Sequence, residues 1–183
     1  MKKTAGILKF CFTVALVVEI ATAVLLGIVV VALLMAGSFS ALAAKGGIIT
    51  VSGTNMTPEE MDALKPIALA ALGLSLAALI LAIIGTLKTR TALGECKEER
   101  PFSEKCVKAL KTSARMDIIG GILGIVTAII LALMASTVTV NGSSVGKTSS
   151  NISMTWLFYA ALKYLLFHIA SYGHSLETDP ERQ

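Results

Sequence analysis

Two charged residues, Glu19 and Lys163, lie deep within long apolar runs of the sequence, where a charge is costly to bury. Each stands about ten residues from the polar end of its run, which is roughly 15 Å along a helix. Because the depths agree, the two side chains form a candidate intramembrane polar pair. Such a pair could fix helix packing or snorkel, form a proton or ion pathway, or line a ligand-binding site, and these alternatives stay open.

A second, shallower set of polar residues lies near the inner ends of two apolar runs: Arg115, Asp117 and His168. Asp117 could accept a hydrogen bond from His168 or pair with Arg115 at the surface. A histidine that titrates near neutral pH could act as a pH sensor, or a neighbour or water could satisfy it locally. We treat the three residues as a candidate polar set at the inner interface.

Catalytic and metal-binding patterns are absent from the sequence. It contains no H-E-x-x-H, G-x-S-x-G or G-x-x-x-x-G-K-[ST] motif, so we predict that the protein is not an enzyme. Cys11, Cys96 and Cys106 have no C-x-x-C spacing, which favours free thiols over a zinc site or a disulfide framework. No cofactor is predicted.

The elements that must position these residues are four apolar runs. The chain is 55% hydrophobic and only 15% charged, whereas a soluble domain carries about 25% charged residues. Its 183 residues suit a single membrane domain, 1–183. The predicted spans cover 8–36, 66–87, 113–136 and 154–173. The first run is about twice the length of a signal-peptide core, so we predict a retained span.

The polar segment 88–112 separates the second run from the third and is the predicted cytoplasmic loop. Eight of the 16 Lys and Arg residues fall between Lys88 and Arg115. By the positive-inside rule this bias places the segment and both termini in the cytoplasm, in a multi-pass protein of the plasma membrane.

A helix start is predicted within that loop. Ser103 can cap the helix by accepting from the backbone N–H of Cys106, and Phe102 can pack on Val107 as a hydrophobic staple. Lysines along the same helix would face anionic headgroups. The candidate cytoplasmic contact residues are Pro101, Phe102, Ser103, Val107 and Leu110.

The two external loops are predicted at 37–65 and 137–153. The β-branched stretch 48–51 has the character of a strand, and Asn141-Gly142 is a favoured two-residue hairpin turn. The predicted fold class is therefore an all-α membrane protein. It is a four-transmembrane-helix bundle with a small extracytoplasmic β element from the two loops.

Small residues suggest close helix packing in the second and third spans. Ala71 and Ser75 form a small-x-x-x-small pair, and Gly120 and Gly124 form a G-x-x-x-G pair. We expect these residues to pack against other helices inside the bundle, and contact between subunits of a homo-oligomer is the alternative. The other predicted partners are the lipid bilayer and a cytoplasmic protein at 88–112. No basic helix is interleaved with aromatics, so nucleic acid is not a predicted partner.

The tract Pro101-Phe102-Ser103, with Val107 and Leu110, resembles the P-F-[ST]-x-x-x-V-x-x-L element of a bacterial family known as domain of unknown function twenty-nine seventy-five. The end of the last apolar run is also similar, with Gly173 and Leu176 before an acidic tail. The resemblance implies a small four-span protein without known catalytic residues. Some members lie beside helix-turn-helix regulators, which implies a sensing or regulatory role.

Two functions from different classes follow from these patterns. The first is a regulatory, sensing or immunity-type interaction protein that acts through the loop 88–112. The alternative is a small oligomeric transporter or channel that uses Glu19 and Lys163.

Overall fold

The computed structural model describes residues 2–38, 58–137, 139–140, 143–144 and 155–178. Nearly all of these residues belong to four helices: α1 (Lys2–Met35), α2 (Pro58–Lys97), α3 (Glu104–Thr137) and α4 (Thr155–Thr178). Three of them are long and apolar enough to cross a membrane, at Thr4–Met35, Asp62–Lys97 and Glu104–Met134. The chain is therefore a helical, multi-pass membrane protein.

The predicted fold class is wrong in its count of spans. Among the described residues three helices, not four, have the length and apolar composition of a membrane span. The helix α4 is not among them, because Lys163, His168 and three tyrosines interrupt its apolar character. The run is apolar over most of its length, but it contains too many polar residues to have the composition of a membrane span.

The predicted β element is also wrong as an element shared by two loops. The described residues contain one antiparallel ladder, between β1 (Thr139–Val140) and β2 (Ser143–Ser144), with two residues in each strand. It flanks Asn141-Gly142, where the turn is predicted. The predicted strand 48–51 lies outside the described residues. A two-strand ladder of this size is marginal by itself.

Large apolar side chains cover the outside of the helices, and small side chains fill the contacts between them. Phe10, Leu25, Ile122 and Phe158 are between 52% and 69% exposed. Most buried residues are small: Ala5, Ala71, Thr86, Thr89, Ala92, Cys106, Ala109, Ser113, Ala114, Thr127, Ala160 and Ala170. This arrangement reverses that of a soluble protein and is typical of helices that pack in lipid, where small residues allow close approach.

The helices extend well beyond the predicted spans. The predicted cytoplasmic loop 88–112 is mostly helical, because α2 continues to Lys97 and α3 begins at Glu104. The connection between them, residues 98–103, is called the hinge turn below. At the other end of α2 the helix begins at Pro58 and passes through Pro66 without ending.

By their contacts the residues form two compact units. One contains the described parts of Met1–Ala23, Ala78–Ile122 and Ser153–Gln183, and the other contains the described parts of Val24–Ala77 and Leu123–Ile152. In the second unit the Lys65 ammonium donates to the backbone oxygen of Ala36 at 2.5 Å. All of the predicted site residues lie in the first unit.

Within the first unit, α3 and α4 approach closely at two glycines. The indole ring of Trp156, near the start of α4, occupies the position of a side chain at Gly121. The ring of Phe102, just before α3, occupies the same position at Gly173 near the end of α4. The two helices therefore run antiparallel, and neither glycine has room for a larger residue.

Candidate functional site

A partly buried ion pair lies inside the first unit. Lys163 Nζ of α4 is 2.6 Å from Asp117 Oδ2 of α3, and the two side chains are 18% and 17% exposed. Each charge is therefore largely removed from water and depends on the other for compensation. Asp117 also approaches α2, where its Oδ1 would be 2.9 Å from a Cβ added at Gly85. The absence of a side chain at Gly85 makes room for this carboxylate.

A second carboxylate, that of Glu19 in α1, lies beside this pair. Thr86 of α2 donates its hydroxyl proton to Glu19 Oε1 at 3.0 Å. The carboxylate also interacts electrostatically with both Lys163 and Asp117. Its other oxygen, Oε2, is buried without a hydrogen-bond partner among the described residues. Glu19, Thr86, Asp117 and Lys163 form what we call the intramembrane cluster, to which each of the four helices contributes one residue.

Hydroxyl groups continue the polar contacts from the intramembrane cluster towards the hinge turn. Ser113 Oγ of α3 donates to the backbone oxygen of Gly85 at 2.9 Å, and it lies 2.8 Å from Thr89 Oγ1 of α2. Ser113 is fully buried, and Thr89 is 7% exposed. Interhelical hydrogen bonds of this kind hold neighbouring helices at one spacing in lipid.

The predicted pair, Glu19 and Lys163, has other partners in the structure. Lys163 forms its ion pair with Asp117, while Glu19 takes its hydrogen bond from Thr86. His168 is exposed and packs edge-on to the ring of Tyr164, with ring centroids 4.8 Å apart. Arg115 is exposed at the surface of α3. The structure thus brings together one member from the shallow predicted set, Asp117, with both members of the deep pair.

The hinge turn is closed by backbone hydrogen bonds at the end of α2. The N–H of Arg100 donates to the oxygen of Glu95 at 3.0 Å, and the N–H of Glu99 donates to the oxygen of Cys96 at 3.2 Å. These two bonds form a Schellman motif, which requires a left-handed residue at Glu99. Glu99 has φ 63°, a conformation that glycine adopts far more readily.

Ser103 links the two sides of the hinge turn. Its Oγ accepts from the N–H of Cys106 at 3.1 Å, which is the predicted N-cap of α3. The same hydroxyl donates to Glu95 Oε2 at 3.1 Å, and Lys105 Nζ lies 2.9 Å from Glu95 Oε1. Glu95 therefore joins the end of α2 to the first turn of α3. We call Glu95, Ser103 and Lys105 the hinge latch.

The predicted contact residues of the hinge are used mainly inside the molecule. Pro101, Phe102, Ser103, Val107 and Leu110 are all half-buried. Phe102 packs on Gly173, and Leu110 packs against a buried group formed by Ala92, Cys106 and Ala109. The exposed residues of this region are instead the charged ones at 97–100, together with lysines along α3.

Sequence reasoning missed Glu95, Thr86 and Gly85 as site residues. Glu95 sits in a mixed-charge segment and resembles a solvated residue, while Thr86 is a mild polar break in an apolar run. Their roles depend on the residues that face them on a neighbouring helix. The sequence of one helix does not indicate which residues those are. Within the described part of the chain no group of three or more His, Cys, Asp or Glu residues is placed to hold a metal ion.

Comparison with known protein families, curated proteins and solved structures finds no match to this chain. The resemblance of the tract at 101–110 to an uncharacterised bacterial family therefore stays a prediction. What the chain does has to be argued from its own residues.

Proposed function

We propose that this protein is a regulatory interaction protein of the plasma membrane, which acts by presenting the hinge turn to a cytoplasmic protein. The observation that carries the proposal is the construction of that turn. It is short, it is closed by hydrogen bonds at both ends, and its exposed side chains are charged. A fixed, charged turn that emerges from a membrane bundle is suited to recognition of a partner by charge complementarity.

The left-handed Glu99 supports this role. A residue other than glycine at this position costs on the order of 1 kcal/mol, and such costs concentrate at functional sites. Glu98 and Arg100 form an exposed ion pair on either side of Glu99, which has an interaction partner of its own. The turn thus carries alternating charges on a backbone whose geometry is set by the Schellman motif.

The orientation follows from charge and from contacts. The Lys and Arg residues concentrated around the hinge turn favour the cytoplasmic side. Lys9 of α1 lies near Gly94, its Nζ being 3.6 Å from a Cβ added there, and Gly173 of α4 packs on Phe102. The start of α1 and the end of α4 therefore lie near the hinge turn, which supports a cytoplasmic position for the start of α1.

An exchange of charges tests the proposed contact. The double variant Glu98→Lys with Arg100→Glu keeps the net charge and the ion pair but reverses the pattern that a partner meets. We expect it to remove the partner from a cross-linking capture performed in intact membranes of the source cells. A matched control exchanges the charges of Lys111 and Glu177, two exposed residues outside the hinge turn, and also keeps the net charge. If the captured proteins are the same for both variants and the wild type, the hinge turn is structural only.

Labelling tests the orientation separately. A cysteine introduced at Glu98, in a variant lacking Cys11, Cys96 and Cys106, should react with a membrane-impermeant maleimide only after the cells are opened. Labelling of intact cells would place the hinge turn outside and overturn the cytoplasmic assignment.

A second candidate function, proton or ion movement in a small oligomeric transporter or channel, rests on the charges of the intramembrane cluster. Two carboxylates, of Glu19 and Asp117, share a single lysine, Lys163, and Glu19 Oε2 is buried without a partner among the described residues. One proton or one monovalent cation would balance this cluster and complete the coordination of that oxygen.

Flux into liposomes tests the second candidate. The purified protein is reconstituted with a pH-sensitive dye inside the vesicles, and proton entry is followed under a potassium-diffusion potential. Transport through the intramembrane cluster requires that Glu19→Gln abolish the flux, while Glu177→Gln on the exposed end of α4 leaves it unchanged. A flux that is the same for wild type and Glu19→Gln would remove this function.

A further inference from the structure

A pocket lined by three lysines lies between α2 and α3, on the side of the hinge latch. We call it the lysine pocket. Its lining residues are Lys88, Thr91, Glu104, Lys105, Lys108, Ala109 and Thr112. Its volume of about 330 Å³ is enough for a phosphate-containing headgroup. With three ammonium groups and one carboxylate, the lining carries a net charge of +2.

The depth of the lysine pocket matches that of lipid headgroups. Leu87, the residue before Lys88, is an exposed apolar side chain, and Ile118 is the exposed apolar side chain beyond Thr112 on α3. The lysines therefore stand where the apolar surface of two spanning helices gives way to the polar hinge region. Basic pockets between helices at this depth bind the headgroups of anionic lipids.

The three lysines differ in whether they have an ion-pair partner within the protein. Lys105 is 2.9 Å from Glu95, and Lys108 is 2.5 Å from Glu104. Lys88 has no hydrogen-bond or ion-pair partner among the described residues, although it shares the pocket with them. The exposed pair of Lys108 and Glu104 is easily exchanged for another anion, because surface pairs contribute little. Two lysines are thus available to an incoming phosphate.

We propose that the lysine pocket binds the phosphate group of an anionic phospholipid, with Lys88 and Lys108 as its principal ligands. The acyl chains then lie against the exposed apolar faces of α2 and α3, and Lys105 remains in the hinge latch. A bound lipid bridges α2 and α3 next to the hinge turn. This assignment depends only on the membrane location of the two helices and is independent of whether the hinge turn meets a protein partner.

Native mass spectrometry of the full-length protein in detergent, titrated with phosphatidylglycerol, tests the proposal. Each lysine near a membrane surface contributes about fivefold to anionic lipid binding, so Lys88→Gln with Lys108→Gln should weaken it roughly 30-fold. The matched control, Lys97→Gln with Lys111→Gln, removes two exposed lysines outside the pocket and should bind as the wild type does. Equal losses in both variants would show general charge attraction and overturn the site.

Two further arms keep the result interpretable. Lys88→Arg with Lys108→Arg should retain binding, and Glu104→Gln should strengthen it about fivefold because it removes the only carboxylate of the pocket lining. A loss of binding with Lys88→Arg and Lys108→Arg, or no gain with Glu104→Gln, counts against the pocket. Zwitterionic phosphatidylcholine should bind equally to the wild type and to the variant Lys88→Gln with Lys108→Gln. Millimolar inorganic phosphate should not displace phosphatidylglycerol, and complete displacement would point to a soluble anion instead of a lipid.

Discussion

Two of the lysine–carboxylate pairs among the described residues lie in very different surroundings. In the intramembrane cluster, Lys163 and Asp117 are 2.6 Å apart with both side chains less than one-fifth exposed. In the hinge latch, Lys105 and Glu95 are 2.9 Å apart, but the lysine is 70% exposed and only the carboxylate is buried, at 9%. Water can replace the exposed lysine in the second pair, whereas the lysine of the first pair is largely enclosed by protein and has little access to water.

The two sites also differ in how many partners each carboxylate has. Glu95 is held by Ser103 as well as Lys105, so each of its oxygens has a donor. In the intramembrane cluster, Glu19 has a donor for one oxygen only, and Asp117 approaches the bare backbone of Gly85 on its other side. We infer that the hinge latch tolerates the loss of one contact, while the intramembrane cluster has little redundancy.

The largest effect is expected from separating the buried pair. Asp117→Asn removes the carboxylate that lies 2.6 Å from Lys163 and leaves Glu19 as the remaining counter-charge of the cluster. The loss of the contacting partner from such a pair costs about 3 kcal/mol. The measurement is the free energy of unfolding in mixed micelles, titrated with dodecyl sulfate.

A second variant distinguishes loss of the pair from damage to packing. Asp117→Asn combined with Lys163→Met and Glu19→Gln removes all three charges of the cluster and should recover most of the stability, since apolar replacements of buried pairs are often neutral. A triple variant that is no more stable than Asp117→Asn would mean that the charges are not the cause.

The next effect comes from filling the space that admits Asp117. A Cβ at Gly85 would lie 2.9 Å from Asp117 Oδ1 and 3.7 Å from the backbone oxygen of Ser113, so Gly85→Ala must displace the carboxylate. Overpacking of this kind costs about 2 kcal/mol. Unfolding in mixed micelles measures it, with Gly73→Ala as the control on the same helix, because nothing lies within 4 Å of a Cβ there. Equal stability of the two alanine variants would contradict the close approach of Asp117 to α2.

Some features of the two sites can be predicted from the sequence. The cap at Ser103 was predicted because it depends on residues three positions apart, Ser103 and Cys106, and the structure contains that hydrogen bond. The long apolar helices were predicted for a similar reason, since composition over about 20 residues decides them. Local interactions leave a local pattern, and such patterns can be read from one sequence.

The partner of Lys163 was not accessible in the same way. Glu19 and Asp117 are both acidic residues within apolar runs, and the choice between them depends on the rotation of each helix about its axis. The bare backbone of Gly85 and the hydroxyl of Thr86 decide that choice by admitting one carboxylate and donating to the other. The predicted fourth span is wrong for a different reason: the run is long enough, but polar residues such as Lys163 and His168 lower its mean hydropathy.

A smaller effect is expected at the hinge latch. Ser103→Ala removes both the cap of α3 and a hydrogen bond to Glu95, and loss of a cap costs about 1 kcal/mol. Lys105 still holds Glu95, so the loss should stay below that of Asp117→Asn. Unfolding in mixed micelles measures it, and Ser103→Thr should restore stability because it keeps the hydroxyl. A loss as large as that of Asp117→Asn would show that the hinge latch is no more redundant than the intramembrane cluster.

The smallest effect has the opposite sign and concerns Glu99. Glu99→Gly relieves a left-handed conformation at φ 63°, so it should stabilise the hinge turn by up to about 1 kcal/mol. The control is Glu98→Gly, which removes an adjacent acidic residue without relieving a positive φ and should not stabilise. A more stable Glu99→Gly variant that captures no partner would show that stability is given up here for recognition. A stable variant that captures the partner as the wild type does would confine the role of Glu99 to the backbone.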